Sequence, residues 1–394
     1  MNTNNVATNG MTTNDSGRNL AGLWQPRLNL THLYYGPGCV QQHLQGVLPS
    51  SSSKAVIITG NSLASKTPLV QQLESLLGQH HVQTISSIRQ HGPAEDVLQA
   101  IEIVMALGED VDTIISLGGG SPIDTAKVIS LRVSEKRGTF LNHIAIPTTL
   151  SAAECTAGGG YTKPNGVKFG CRVSGMGVST IFYDALYAKY TPRQLWLSSG
   201  MRAMDHAVEC MYHPNAVEMP WKTLSLWTVS ELFECLPRML DPHQNDEVVM
   251  TRLMLAAFAS SGLKGENIQG GMGLSHSLGH ALGSPYCIPH GITSCMTLAK
   301  VVALKIEESV ANAEEIARLL PAAGGARTGD DPKDAREVVD RIEALVRSLH
   351  IGNGSLSSYG VPVSDAPLIA ERALGGVQEG PWYERVLVLV QSMF

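Results

Sequence analysis

The spacing of apolar residues changes once along this chain, next to Thr191-Pro192. Before this point, short runs rich in β-branched residues alternate with stretches in which apolar residues recur every three or four positions. Such alternation is typical of a parallel, doubly wound sheet with helices on both faces. After it, only the helical spacing continues. We therefore expect an α/β half followed by an all-helical half, with a boundary near residue 190.

The elements of both halves can be predicted from these runs. The expected strands are 54–59, 81–86, 112–117, 143–147 and 180–184, and the helices between them are 67–77, 94–107 and 122–131. Glycines and prolines interrupt residues 151–184, which indicates a small antiparallel β-structure outside the parallel sheet. The helices expected after the boundary are 192–212, 221–240, 247–263, 272–283, 291–305, 309–320, 332–348 and 365–374, with a loop over 322–331.

Length and composition agree with this division and exclude several classes of function. A chain of 394 residues, 43% hydrophobic, suits two or three domains with real cores. We expect a disordered tail over 1–22, a dinucleotide-binding domain over 23–190 and a helical catalytic domain over 191–394. A net charge of -6 offers no basic surface for nucleic acid, and no apolar run is long enough to span a bilayer. The seven scattered cysteines, without a CxxC, are interpreted as reduced thiols of a cytoplasmic protein.

A glycine-rich turn carries the clearest chemical signal. Gly118, Gly119 and Gly120 follow an expected strand and precede an expected helix. Glycines allow the backbone to approach a diphosphate, and a helix N-terminus supplies free N–H groups. We expect Ser121 to cap the helix, with Asp124 as its capping-box partner. The alternative is a purely structural turn, since the spacing is not GxGxxG, but a strand end in a doubly wound sheet is where such folds bind ligands.

Two further turns at strand ends are candidates for the same ligand. Thr148 and Thr149, in IPTT, can hydrogen-bond a diphosphate or a ribose, although threonines also form turns without any ligand. Gly60 follows the first strand, at the place where an acidic residue would repel a 2′-phosphate. Ser62 and Lys66 can contact such a phosphate. We therefore expect NADP(H) rather than NAD(H).

Four of the thirteen histidines have informative positions. His276 and His280 are four residues apart and share one helix face. His290 follows Pro289 after a short turn, and His206 belongs to an earlier helix. Taken singly, each is more often an ordinary core or surface histidine. Histidines that converge from separate helices can hold a divalent cation or move protons.

Four motifs together resemble one family. GGGSPIDTAK (118–127), AIPTT (145–149), SGMRAMDHAVE (199–209) and GLSHSLGHALGSPYCIPHG (273–291) occur in the order seen in the iron-containing alcohol dehydrogenases, including their maleylacetate reductase-like branch. The resemblance implies a dehydroquinate synthase-like fold, with the site between an N-terminal nucleotide domain and a C-terminal helical domain. It implies that the glycine turn borders the diphosphate, that Thr148 and Thr149 line the cofactor, and that His280 faces the nicotinamide and the substrate. Family members often form dimers, so we expect a homodimer.

The chain departs from the metal-using members of that family at one position. Those members carry an aspartate four residues before the first histidine, and here Arg202 stands four residues before His206. A guanidinium repels a divalent cation and cannot ligate it. We favour a site without a metal, in which Arg202 binds a substrate carboxylate or polarises a carbonyl. In the alternative, His206, His276 and His290 hold iron or zinc and Arg202 turns away.

These observations predict an NAD(P)H-dependent oxidoreductase for a small organic substrate. Hydride would pass to a carbonyl or an activated alkene carbon. Arg202 or a protonated His206 would stabilise the developing charge, and His280 would donate the proton, with His276 or His290 as a second donor. The alternatives are an ordinary iron- or zinc-dependent alcohol dehydrogenase and a dehydroquinate synthase-like lyase or repurposed non-redox relative.

Overall fold

A computed structural model describes residues 22–26, 29–164, 166–241 and 246–394. The tail predicted over residues 1–22 therefore lies outside the described part of the chain, apart from Gly22. Within that part, none of the helices has the length and apolar character needed to cross a membrane.

The described residues of the first half form a six-stranded parallel sheet. Its strands are β1 (His32–Tyr35), β2 (Lys54–Ile58), β3 (His81–Ile85), β4 (Val111–Gly118), β5 (Asn142–Pro147) and β8 (Thr180–Tyr183), and their order is β1-β8-β5-β4-β2-β3. The five predicted strands are confirmed, whereas β1 was not predicted. The predicted antiparallel β-structure is present as a pair of strands, β6 (Gly158–Thr162) and β7 (Lys168–Arg172).

Helices cover the sheet between these strands. They are α1 (Cys39–His43), α2 (Asn61–Lys66), α3 (Leu69–Leu77), α4 (Ala94–Ala106), α5 (Gly120–Arg137) and α6 (Ala185–Ala188). The helix predicted over 67–77 begins only after Pro68, because Thr67 has extended backbone and separates α3 from α2. Helix α5 is longer than predicted at both ends, and its apolar side chains are buried against the sheet.

The described residues of the second half form helices joined by loops, with no strand among them. Its helices are α7 (Arg193–Met211), α8 (Thr223–Arg238), α9 (Glu247–Ser261), α10 (Leu274–Tyr286), α11 (His290–Glu308), α12 (Val310–Ala317), α13 (Asp331–Ser348), α14 (Ala366–Ala373) and α15 (Pro381–Gln391). Helix α15 was not predicted. Helix α7 is buried along almost its whole length, from Trp196 to Met211, which makes it the central helix of this half.

One hydrophobic core joins the two halves. It contains side chains from the sheet and α5, such as Ile123 and Ile181, together with side chains from α7, α8, α9, α11 and α13. The halves are thus packed directly on each other. This packing brings the carboxyl end of β5 next to α7, where the N–H of Leu150 donates to Ser199 Oγ at 3.0 Å, and we call the boundary between the two halves at this edge of the sheet the cleft.

Candidate active site

The glycine turn is packed closely against neighbouring side chains and leads into an uncapped helix N-terminus. Gly118 ends β4 with φ 139°, and a Cβ on it would lie 3.1 Å from Pro122 Cγ. A Cβ on Gly119 would lie 3.1 Å from Thr149 Cγ2. Helix α5 then begins at Gly120, and no described side chain caps it. The backbone N–H groups at its N-terminus are therefore available to an anion.

The predicted capping box is wrong. Gly119 is the N-cap residue, so Ser121 already lies inside the first helical turn and cannot cap it. The carboxylate of Asp124 faces two ammonium groups instead, with 3.4 Å to Lys127 Nζ and 3.6 Å to Lys168 Nζ. Asp124 thus neutralises cations beside the turn and does not pair with the backbone N–H of an N-cap.

The sheet register places the other candidate cofactor residues at the same edge. Gly118 pairs with Pro147 in β5, and the N–H of Thr148 donates to Gly118 O at 2.9 Å. On the other side, β2 pairs with β4, and Gly60 is the N-cap of α2. Ser62, in the first turn of α2, is exposed. The structure therefore gathers the predicted glycines, threonines and Ser62 along one edge, as expected for a dinucleotide site.

Four histidines meet across the cleft from this edge, and we call them the histidine cluster: His206 on α7, His276 and His280 on α10, and His290 on α11. The Nε2 atoms of His276 and His280 are 3.0 Å apart. The ring centroids of His206 and His276 are separated by 5.4 Å, and those of His280 and His290 by 5.2 Å. The predicted convergence of these four side chains is present in the structure.

Arg202 is buried at the centre of the cluster, with a relative exposure of 5%. Its Nη1 donates to Asp205 Oδ2 at 3.0 Å, and its Nη2 donates to His276 Nε2 at 3.3 Å. A guanidinium has no acceptor, so His276 Nε2 must accept. His280 Nε2, which approaches the same atom, must then carry the hydrogen that it donates to His276. Arg202 thus fixes the tautomers of both histidines.

Two glycines of α10 create the space for these groups. A Cβ on Gly279 would lie 3.0 Å from Arg202 Nη1, and one on Gly283 would lie 2.6 Å from His290 Cε1. The carbonyl oxygen of Gly279 also lies 3.1 Å from His290 Nδ1. The glycines at this spacing therefore let the guanidinium and an imidazole pack against the helix backbone.

The environment keeps the histidine cluster neutral. Burial lowers the pKa of all four imidazoles well below 6.5, and the positive charge of Arg202 lowers them further. The expectation that a protonated His206 supplies positive charge does not suit this environment. Arg202 is the positive group in contact with the cluster.

A carboxylate below the cluster orients α10. Glu209 accepts hydrogen bonds from the backbone N–H of Ser275 at 2.7 Å and of His276 at 3.2 Å. It thereby caps the helix N-terminus from α7. Burial and the neighbouring Asp205 raise the pKa of Glu209 to about 8.

Sequence reasoning missed three residues of the site: His91, Asp205 and Glu209. Asp205 lies three residues after Arg202, and this spacing, which pairs charges on a helix, was the signal for it. His91 follows β3, and its ring centroid lies 5.2 Å from that of His290. Its place after a strand, at the edge where ligands bind, was the available signal.

Comparisons with known proteins agree with this architecture. The family model for "Iron-containing alcohol dehydrogenase" matches residues 31–185, and the model for "Fe-containing alcohol dehydrogenase family, C-terminal" matches residues 196–383. The dehydrogenase ALT3 of Alternaria alternata is 31% identical over 285 residues, which are 64% of this chain and 72% of that protein. Maleylacetate reductase of Rhizobium sp. (strain MTP-10005) is 30% identical over 255 residues, which are 65% and 68% of the two chains.

A solved structure supports the fold. The crystal structure of maleylacetate reductase from Agrobacterium tumefaciens superposes with a TM-score of 0.77, covering 95% of this chain and 99% of that one at 24% identity. The fold, the order of the motifs and the matched ranges all confirm the predicted resemblance. The chain belongs to the iron-containing alcohol dehydrogenase family, and it is an enzyme of the oxidoreductase class.

Proposed function

We propose that this enzyme uses NADPH to reduce a carbonyl or an activated alkene carbon of a small organic substrate, without a metal ion. The observation that carries this proposal is the position of Arg202. Its guanidinium is buried among the histidines and donates to His276 Nε2 at 3.3 Å. It occupies the place where a metal-using relative carries a carboxylate ligand.

The side chains around Arg202 do not fit a divalent cation. The Nε2 lone pair of His276, which a metal would need, accepts from the guanidinium. Among the described residues, no three histidine, cysteine, aspartate or glutamate side chains are grouped so that they could hold a metal ion. Asp205 accepts from Arg202 Nη1 and from Ser294 Oγ through Oδ2, whereas its buried Oδ1 has no hydrogen-bond partner among the described residues. A second cation here would be repelled by the first.

The glycine turn, in contrast, fits a dinucleotide. It offers a helix N-terminus that no described side chain caps, and positions where a Cβ would crowd its neighbours. The bound nicotinamide nucleotide supplies the hydride. We assign Gly118, Gly119, Gly120, Ser121 and Asp124 to the surroundings of the diphosphate, with Thr148 and Thr149 beside them.

The protein residues would then stabilise charge and move a proton. As negative charge develops on the substrate oxygen, the guanidinium of Arg202 stabilises it in a site shielded from water. His280 carries the hydrogen on Nε2 that would pass to the product, and it would take up a proton from solvent on Nδ1, so that the imidazole stays neutral. His276 accepts at Nε2 and His290 places its hydrogen on Nδ1 toward Gly279 O, so either would serve as the second donor only after it gains a proton. Because the imidazoles are neutral in this pocket, the positive charge that the reaction needs comes from Arg202.

The preference for NADPH is supported by the start of α2. Gly60 places no carboxylate beside the ribose, while Ser62 and Lys66 are both exposed on the following turn. A hydroxyl and an ammonium group suit a 2′-phosphate.

Relatives named maleylacetate reductase make oxo acids the first substrates to try. We also propose that the protein is cytoplasmic and forms a homodimer, as expected from its sequence. Imaging of the tagged protein would test the location, and light scattering of the purified protein would test the dimer.

A metal-dependent alcohol dehydrogenase is the second candidate. One observation favours it: the Nδ1 atoms of His206 and His276 are buried and have no hydrogen-bond partner among the described residues. The Nδ1 of His206 could be a ligand after rotation of its ring, and that of His276 could be one after it loses the hydrogen that the contact with Arg202 places there. The two candidate functions differ in the metal content of the enzyme and in whether the Arg202 side chain stays among the histidines or turns away.

The test combines turnover with metal analysis. NADPH oxidation is followed at 340 nm with oxo acids, aldehydes and ketones, using protein purified without chelator. We expect turnover, with well under one transition metal per chain. No turnover and no NADPH binding in titration would refute the proposed function, and stoichiometric iron or zinc that is lost in His276→Ala would favour the second candidate.

A further inference from the structure

We infer that His91 is a substrate-contacting residue of this site, contributed by the nucleotide-binding half, and that it recognises a second oxygen group on the substrate. This inference rests on the proposed function. It concerns a residue that lies outside the four motifs of the sequence and outside the histidine cluster.

The ring of His91 extends the row of imidazoles across the cleft. Its centroid lies 5.2 Å from that of His290 in an edge-to-face arrangement, and His290 lies 5.2 Å from His280. The imidazole of His290 therefore lies between His91 and the proposed proton donor, His280. His91 is the member of the row that comes from the nucleotide-binding half, after β3, so residues of both halves meet at this row of imidazoles.

The ring of His91 retains unused hydrogen-bonding capacity. Its Nε2 atom is buried and has no hydrogen-bond partner among the described residues. Buried polar atoms of side chains are normally satisfied by protein, water or ligand. A ring nitrogen beside the cleft is a natural partner for an oxygen atom of the substrate, and it acts as a donor or an acceptor according to its tautomer.

The backbone around His91 is held in an unusual conformation by specific contacts. His91 has φ 64°, in the left-handed region that few residues other than glycine adopt. Thr162 of β6 fixes it twice: its Oγ1 donates to His91 O at 2.8 Å, and its N–H donates to Gly92 O at 2.8 Å. Thr162 Oγ1 also lies 3.3 Å from Ser284 Oγ on α10. Strained residues that are over-determined in this way cluster at functional sites.

The position of His91 defines the class of substrate. The reacting carbon must lie beside His280, so a group that reaches His91 sits several bonds away. We therefore expect a bifunctional substrate, which carries a carboxylate, carbonyl or hydroxyl at its far end. Lys168 on β7 pairs with Asp124 at 3.6 Å and is close enough to His91 for its positive charge to lower the pKa of that imidazole, after the larger effect of burial.

The experiment compares two aldehydes of equal chain length, succinic semialdehyde and butanal, which differ in the terminal carboxylate. His91→Phe keeps an aromatic ring against His290 and removes both nitrogens, and His91→Asn restores a polar group that tolerates a left-handed backbone. His350→Phe is the matched control, because His350 is exposed and has φ 54° at the end of α13. NADPH titration and thermal melting verify that each variant is folded.

We expect His91→Phe to raise KM for succinic semialdehyde roughly tenfold while kcat changes by less than about threefold. KM for butanal should be unchanged, His91→Asn should recover part of the loss, and the control should match the wild type. If wild type reduces the semialdehyde and His91→Phe leaves its KM unchanged, the inference fails and the proposed function stands. If the folded wild type reduces no compound of the panel, the proposed function fails and this inference with it.

Discussion

Replacing Arg202 with methionine separates its effect on stability from its effect on catalysis. Methionine has a similar length and no charge, so it fills the space beside Gly279 without a donor. The change leaves Asp205, which is 0% exposed, without the opposite charge of the guanidinium, while Ser294 Oγ still donates to it at 2.7 Å. The double variant with Asp205→Asn removes the carboxylate charge and keeps an acceptor for Ser294.

The size of the effect follows from the burial of this pair. Breaking a buried ion pair by removing one partner costs about 3–5 kcal/mol. The entropy of unfolding scales to about 0.8 kcal/mol per kelvin for a chain of 394 residues. Because one core joins the two halves, we expect them to unfold together. Arg202→Met should therefore lower Tm by about 4–6 °C, and the double variant should recover most of this loss.

Activity should follow a different pattern. Removal of a group that stabilises charge in the transition state lowers kcat by about 10²–10³-fold, and the double variant should stay as inactive as Arg202→Met. Differential scanning fluorimetry and NADPH oxidation measure the two properties. Arg347→Met, which breaks an exposed pair with Glu343, is the control and should shift Tm by less than about 1 °C. A double variant as unstable as the single one, or one that regains activity, would refute the assigned role of Arg202.

Three further predictions concern other parts of the site. Gly279→Ala should displace the guanidinium of Arg202 and lower kcat roughly tenfold, and an unchanged kcat would show that the close approach is unimportant. Ser62→Asp should raise KM for NADPH roughly tenfold and leave KM for NADH nearly unchanged; equal effects would argue against a 2′-phosphate at α2. Finally, burial lowers the pKa of the imidazoles in the histidine cluster, so the unfolded chain binds more protons than the folded chain below pH 6.5. The free energy of unfolding therefore falls as pH falls, by up to about 1.4 kcal/mol per imidazole and pH unit. The carboxyl groups of Glu209, Asp205 and Glu154, whose pKa burial raises, act in the opposite direction. Burial also lowers the pKa of His91, His143 and His213, so lowered imidazoles outnumber raised carboxyls, Tm should still drop between pH 7 and 5.5, and a constant Tm would contradict this view.

Local patterns predicted most of the fold, because strands and helices of this family are strongly periodic. Four of the five predicted strands are buried and could be predicted from β-branched runs, since parallel strands covered on both faces are apolar throughout, whereas β3 is a partly exposed edge strand. Strand β1 was not predicted because its sequence, HLYY, is only four residues long and is partly exposed at the sheet edge. The start of α5 was misplaced because Ser121 resembles a cap, whereas Gly119 takes that position through its extended backbone.

The site was predictable only where its geometry is local. His276 and His280 were paired from their spacing within one helix, and the glycine turn from its place between a strand and a helix. The contact of His91 with His290 joins residues from the two halves, which no local pattern encodes. The hydrogen bond between Arg202 and His276 likewise joins separate helices.

The surroundings of Arg202 argue that the substitution is functional and not a sign of decay. A long charged side chain left behind by the loss of a metal would be expected to reach solvent with its charged end. Here three features on separate parts of the structure accommodate the guanidinium: Asp205 supplies the opposite charge, Gly279 supplies the space, and His276 supplies an acceptor. Each would be unfavourable or useless without the arginine, since Asp205 alone would be a buried charge. The pocket is thus built around a fixed positive group, which is what hydride transfer to a polarised bond requires when no metal is present.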